Sequence, residues 1–121
     1  MKSKQDLKQR TKLFSLRIIK LIQALPNDKV SAVIGKQLLR SGTSVGANYR
    51  AACRAKSQAD FINKIHISEE EVDESLFWME LLTEAELIDV KRLEDLMKEA
   101  NELLAIFSAS VITAKKNRIK S

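Results

Sequence analysis

The chain has 121 residues, a length that suits one domain, and it contains only 3 glycines and 1 proline. This composition supplies few turn residues for β-hairpins and favours helices, so an all-β fold is excluded. The 21 Lys and Arg residues exceed the 16 Asp and Glu residues, which gives a net charge of +5. That charge is compatible with an anionic partner but specifies no chemistry.

The charge is unevenly distributed along the chain. Residues 1–60 carry 13 basic and 3 acidic side chains, whereas residues 61–121 carry 8 basic and 13 acidic ones. We therefore expect surfaces of opposite sign. The sequence has no apolar run long enough to span a membrane and no secretion signal, so we expect a cytoplasmic protein without a membrane partner.

The first two predicted helices cover about residues 5–25 and 29–56, because apolar residues there recur at alternating spacings of four and three. Pro26 ends the first helix. The seam of the first helix consists of Leu7, Thr11, Phe14, Ile18, Leu21 and Leu25. The seam of the second consists of Ile34, Leu38, Ser41, Val45, Asn48, Ala52 and Ala55. Because this seam continues through Gly42 and Gly46, we favour close approach of another backbone there over a helix break.

The third predicted helix begins at Ser57, which forms a capping-box pattern with Asp60, and ends near Ala85. Its seam consists of Phe61, Ile65, Ser68, Val72, Ser75, Met79 and Leu82. Asp89 is a suitable cap for the fourth helix. The seam of the fourth helix consists of Leu93, Met97, Ala100, Leu104, Phe107, Val111 and Ala114. Short connections make neighbours antiparallel, so the sequence predicts an all-α, up-down-up-down four-helix bundle as one domain over residues 1–121.

Catalytic and metal chemistry find little support in the sequence. A di-iron centre in a bundle needs two Glu-x-x-His pairs, but His66 is the only histidine. Beside Glu69 and Glu70, His66 fits a solvated helical ion pair better than a metal site. Cys53 is the only cysteine, which excludes an internal disulfide, and it has no histidine nearby in sequence to act as a base. We therefore expect a protein that is not an enzyme and has no cofactor or metal.

Polar residues interrupt the seams of the second and third helices. We expect them to be buried and to fix the register of packing, with a functional cavity as the alternative. They are Ser41, Asn48, Ser68 and Ser75.

Bulky apolar residues also fall away from the seams of the first and third helices. A single bundle would expose them, so they predict a homo-oligomer; the alternative is that part of the same subunit covers them. They are Leu13, Leu16, Ile19, Ile67, Trp78 and Leu81.

A basic stripe lies opposite the seam of the second helix when the residues are projected at about 100° each. It consists of Lys29, Lys36, Arg40, Arg50 and Arg54, and a basic cluster at the end of the fourth helix, Lys115, Lys116 and Arg118, extends it. One interpretation is a surface that follows the phosphates of RNA or DNA. A second is a face that meets acidic residues of a neighbouring subunit, which would support a closed ring; those residues are Glu70, Asp73, Glu80 and Glu84. A third is an ordinary solvated face with no binding role.

The segment 39–52 reads LRSGTSVGANYRAA, and it is followed by Ser57, Asp60-Phe61, Lys64 and a Phe77-Trp78 pair within 74–82. This combination resembles the bacterial four-helix-bundle family, also called the 23S rRNA intervening-sequence protein family. The resemblance covers nearly the whole chain. Many members have a glutamate three residues after the asparagine, where this chain has Ala51, so a role for that carboxylate does not carry over.

The resemblance implies a four-helix bundle that assembles into a ring, often a pentamer, without established enzymatic activity. A related branch contains the accessory protein of diversity-generating retroelements, in which a basic ring binds nucleic acid and a reverse transcriptase. By resemblance, the expected partners are therefore further copies of the chain, RNA or DNA, and a protein such as a reverse transcriptase.

Overall fold

The computed structural model describes residues 4–120, with side chains for residues 6–118, and the predicted domain of 1–121 extends beyond both limits. The described chain forms α1 (Lys4–Gln23), α2 (Lys29–Ala52), α3 (Gln58–Glu84) and α4 (Val90–Lys120). No residue of the described range lies in a strand. The predicted all-α class with four helices is confirmed.

Side chains of the connecting segments start three of the helices. Asp28 caps α2 by accepting a hydrogen bond from the N–H three residues later (2.8 Å). Ser57 Oγ accepts from the N–H of Asp60 (3.0 Å), and Asp89 Oδ1 accepts from the N–H of Lys91 (3.0 Å). These bonds satisfy N–H groups that have no partner within the first helical turn. The helix starts predicted at Ser57 and Asp89 are therefore confirmed.

The prediction that α2 continues to residue 56 is wrong, because the helix ends at Ala52. Beyond that point Arg54 N–H bonds to Ala51 O and Ala55 N–H bonds to Ala52 O, so the spacing tightens from four residues to three. This tighter turn lets the chain reverse before Ser57 caps α3.

Consecutive helices run in opposite directions. Between α2 and α3, Ser68 Oγ donates to the carbonyl of Val45 (3.0 Å), and the hydroxyls of Ser41 and Ser75 lie 2.9 Å apart. Residues later in α2 thus contact residues earlier in α3, as expected for antiparallel helices. Among the helix pairs in contact, α1 and α4 pack least closely, and an ion pair between Arg10 and Glu99 links them.

The core consists of apolar side chains from all four helices. The largest fully buried ones are Phe14, Ile18, Leu38, Ile65, Met79, Leu82, Leu93, Leu103 and Phe107. Several predicted seam residues are only half-buried, and the residue next to each of them in sequence is buried instead. The half-buried positions are Ile34, Asn48, Phe61, Met97 and Leu104; the buried neighbours are Gly35, Tyr49, Ile62, Leu96 and Leu103. The cause is that a helix of 3.6 residues per turn drifts away from a strict seven-residue repeat.

Two glycines bring α2 into direct contact with α1. A Cβ atom on Gly42 would lie 2.8 Å from Ile18 Cγ1, and one on Gly46 would lie 3.2 Å from Thr11 Oγ1 and 3.3 Å from the Thr11 carbonyl oxygen. Because α2 passes through both positions without a break, the predicted close approach is confirmed and the helix break did not occur.

We predict that Gly42→Ala destabilises the bundle by about 1–2 kcal/mol. The added methyl group would overlap Ile18, which is fully buried and has no room to move, and this overpacking outweighs the gain in helix propensity. Urea unfolding followed by circular dichroism measures the effect. Gly35→Ala is the control: the nearest neighbour of its methyl group would be the flexible end of Leu25 at 3.0 Å, with Ile22 at 3.6 Å in ordinary contact, so we expect it to be neutral or slightly stabilising. Equal stability of the two variants would contradict the close-contact account.

Candidate nucleic-acid interface

A basic groove lies between the first half of α1 and the second half of α2. Its volume is about 380 Å³, and its lining residues are Lys8, Gln9, Thr11, Lys12, Ser15, Gly46, Ala47, Arg50 and Arg54. Four of these nine side chains are cationic and none is acidic. We call this feature the α1–α2 groove.

The four groove cations, Lys8, Lys12, Arg50 and Arg54, make no ion pair within the described part of the chain. Arg50, Arg54 and Lys12 are exposed, and Lys8 is half-buried. Their charges therefore add up in one place with no carboxylate to offset them. Such a cluster in a concave surface attracts counter-ions and anionic ligands.

The floor of the groove is small and its hydroxyl groups are already bonded. Gly46 and Ala47 present no bulky side chain. Thr11 Oγ1 donates to the carbonyl of Leu7 (2.8 Å), and Ser15 Oγ lies 3.2 Å from the carbonyl of Gly42 on the facing helix. The lysines, the arginines and Gln9 remain as the side chains that can bind a ligand.

No aromatic side chain lines the groove. Tyr49, one position before Arg50, points into the core, where its ring centroid lies 5.8 Å from that of Phe107. Burial, followed by a hydrogen bond to Cys53, raises the pKa of Tyr49 well above its ordinary value. Tyr49 therefore offers no surface on which a base could stack.

Arg40 does not belong to an open basic stripe, and this corrects the prediction. Its guanidinium crosses to α3, where it donates to Glu71 Oε2 (3.0 Å) and pairs with Glu74 Oε1 (2.5 Å). The hydrogen bond from Arg40 lowers the pKa of Glu74. Arg40 is thus occupied in holding α2 to α3 within the subunit.

The remaining predicted cations are exposed and fall into two groups. Lys29 and Lys36 lie in the first half of α2, away from the groove. Lys115, Lys116 and Arg118 lie near the end of α4. That helix end meets the start of α3, where the Gln58 amide donates to the carbonyl of Ala114 (3.5 Å). The α4 cluster consequently shares one end of the bundle with Arg54, whereas Lys29 lies at the other end.

Three of the four polar seam residues, Ser41, Ser68 and Ser75, are fully buried. Their hydroxyl groups bond across the α2–α3 contact instead of lining a cavity. The prediction that Asn48 is buried is wrong: it is half-buried, and its amide donates to the carbonyl of Ser44 on its own helix (2.9 Å). The neighbouring Tyr49 occupies the core position, as the drift of the seam requires.

The outward apolar residues differ in exposure. Leu13 is 57% and Leu16 50% exposed, as expected for a partner surface. Four others are covered in part by their own subunit, which corrects the expectation that a single bundle exposes them; these are Ile19, Ile67, Trp78 and Leu81. Trp78 packs against the core and donates to Glu74. Phe77, which the sequence pattern missed, is 51% exposed.

The acidic residues of α3 have separate surroundings. Those on its outer face, Glu70, Asp73, Glu80 and Glu84, are exposed. His66 Nδ1 lies 2.9 Å from Glu69 Oε1, the geometry of the expected helical ion pair. Glu69 also accepts a hydrogen bond from Ser108 on α4. Among the side chains that the structure describes, no three potential metal ligands of the His, Cys, Asp or Glu type lie together.

The basic stripe predicted from the sequence does not include Lys8 and Lys12, because a projection of the second helix cannot show cations that lie on the first. A signal was available: the two lysines are four residues apart and flank Thr11, a seam residue. The short connection between α1 and α2 brings that part of the seam close to the end of α2.

The fold defines an all-helical bundle protein, and comparison with known proteins identifies its class. The family model of the 23S rRNA-intervening sequence protein matches residues 3–109. The chain belongs to this family. A solved structure from Bacteroides thetaiotaomicron, described as a protein of unknown function from the S23 ribosomal protein family, is 38% identical, with a TM-score of 0.81. The match covers 86% of this chain and 96% of that one.

No curated protein matches the chain significantly. None of the helices, over the residues described, is long and apolar enough to cross a membrane.

Proposed function

We propose that this protein is a non-enzymatic, oligomeric helical bundle that binds RNA or DNA. The α1–α2 groove is the main contact, and it binds the phosphates of the nucleic acid. The observation that carries the proposal is the convergence of Lys8, Lys12, Arg50 and Arg54 on one groove without an acidic neighbour. Such a role places the protein in the cytoplasm, where nucleic acid is present.

The contrast between paired and unpaired cations supports this function. Arg10 and Arg40 contact carboxylates on facing helices and stabilise the bundle. The groove cations have no such structural task. Neutralising phosphates with unpaired cations releases counter-ions, which is the dominant source of sequence-independent affinity for nucleic acid.

The proposed mode of recognition is electrostatic. Base stacking needs an aromatic side chain, and the groove lining has none, so phosphate contacts are the main source of affinity that the lining offers. We therefore infer weak sequence preference and strong dependence on salt. Lys115, Lys116 and Arg118 extend the positive surface at the same end of the bundle.

Self-assembly is the second part of the proposal, and it also supports the alternative function of a structural scaffold for another protein. Leu13 and Leu16 form an exposed apolar pair on α1, and Phe77 lies among acidic residues of α3. Apolar side chains of this size at a surface are typical of protein interfaces. A ring, the pentamer implied by resemblance, and a partner such as a reverse transcriptase remain predictions.

We predict that Arg50→Glu combined with Arg54→Glu abolishes nucleic-acid binding and leaves the oligomer intact. Filter binding at several salt concentrations should give the wild type a log-log slope of about −0.7 per phosphate contacted on single strands, or about −0.9 on duplex. The control is Lys29→Glu with Lys36→Glu, which makes the same change in charge on the same helix outside the groove. We expect this control to retain binding.

Three results would contradict the groove as binding site: salt-insensitive binding, equal loss in both double variants, or no loss in either. If Arg50→Glu with Arg54→Glu instead dissociates the subunits, the two arginines meet an acidic face of a neighbour. Adding Glu80→Lys and Glu84→Lys should then restore assembly.

We predict that Leu13→Lys with Leu16→Lys dissociates the wild-type oligomer into folded monomers. Both side chains are at least half exposed, so the substitutions should cost the single bundle little. Light scattering after size exclusion measures mass, and circular dichroism verifies helix content. Ile112→Lys is the control, because Ile112 is 56% exposed on α4. A wild type that is monomeric at micromolar concentration would overturn the assembly proposal.

A further inference from the structure

The cations of the α1–α2 groove form a linear track. Thr11 faces Gly46, and Ser15 faces Gly42, so moving four residues forward in α1 corresponds to moving four residues back in α2. By this register Lys8 lies level with Arg50, and Lys12 lies one turn further along α1.

Arg54 lies four residues beyond Arg50, in the turn that follows α2, on the opposite side of the Lys8–Arg50 level from Lys12. The track therefore has three levels. Four helical residues rise by about 6 Å, so the level of Lys12 lies about 6 Å from that of Lys8 and Arg50. Arg54 adds the third level from the turn beyond the helix. A compact anion could reach one level at a time, whereas a chain of phosphates could reach all three.

The two walls of the groove belong to different helices. The lysines lie on α1, whereas Arg50 lies on α2 and Arg54 in the turn directly after it. The two helices touch beneath these side chains at Gly46. Packed helices have axes about 8–10 Å apart. A ligand held by both walls must therefore be slim enough to expose its charges on two sides.

A single nucleic-acid strand meets this condition and a duplex does not. The backbone of an unpaired strand is flexible and accessible from both sides, so its phosphates can enter the groove with the bases turned to solvent. In a duplex, each strand's phosphates are accessible from one side only, because the bases and the second strand lie on the other side. The α1 and α2 helices are in direct contact, so a duplex is too wide to enter the groove between them and could contact only its rim.

We propose that the α1–α2 groove is a site for one unpaired strand of RNA or DNA, which it binds by consecutive phosphates in preference to duplex. This inference rests on the proposed function and adds to it the class of nucleic acid and the line along which the strand lies. The strand is neutralised by Lys12 at one end, by Lys8 with Arg50 at the centre, and by Arg54 at the other end.

The test compares fluorescence anisotropy of a labelled thymidine oligonucleotide with that of the duplex it forms with its adenosine complement, using the full chain. We expect the single strand to bind about tenfold more tightly, a difference of about 1.4 kcal/mol. Its salt slope should be about −2 to −3 per bound subunit, since three or four phosphates contribute about −0.7 each.

Ala47 is an exposed residue in the lining of the groove. Ala47→Glu therefore places a carboxylate in the groove and leaves all four cations in place. We expect it to weaken single-strand binding at least tenfold. Ala32→Glu is the matched control: it makes the same substitution at an exposed position of the same helix outside the groove, and it should bind like the wild type.

The possible results distinguish a failure of the single-strand inference from a failure of the proposed function. If neither nucleic acid binds, the proposed function fails and the inference fails with it. If duplex binds as tightly as the single strand or more tightly, the function stands and the single-strand inference is overturned. If the single strand is preferred but Ala47→Glu and Ala32→Glu behave alike, the groove is not the site.

Discussion

The direct contact of α1 with α2 is the constraint on which the candidate site depends. At Gly42 and Gly46 the absence of a side chain lets the helices meet, with Ile18 and Thr11 filling the space that a Cβ would occupy. This contact fixes the register of the two helices. Lys8 and Lys12 lie on α1, and Arg50 and Arg54 lie at the end of α2 and in the turn just beyond it. The same contact therefore determines which cations share a groove.

Cations have two different kinds of surroundings in this bundle. Arg10 and Arg40 reach carboxylates on other helices. The hydrogen bond that Arg10 donates to Glu99 raises the pKa of Arg10, as expected for a charge held by its partner. Pairs of this kind add modest stability when they are partly exposed. The groove cations form no such pairs, so they add no stability in this way, and their like charges repel one another. Their grouping is therefore better explained by a ligand than by folding.

The helices and most of the core could be predicted from the sequence, whereas side-chain partners between helices could not. Spacing of apolar residues located Phe14, Leu38 and Phe107 correctly, because burial follows from the period of the helix. The same pattern placed Asn48 in the core instead of Tyr49, since a seven-residue repeat ignores the drift of a straight helix. Arg40 shows the other limit: its fate depends on Glu71, 31 residues away, which no local pattern relates to it.

Lysine footprinting can show where a nucleic-acid strand contacts the bundle. The protein is acylated with and without a saturating thymidine oligonucleotide, and mass spectrometry measures modification at each lysine. We expect the oligonucleotide to protect Lys8 and Lys12, while Lys29 and Lys36, which are exposed on the first half of α2, react as before. Protection of Lys29 and Lys36 with unchanged reactivity at Lys8 and Lys12 would contradict the groove as the binding site.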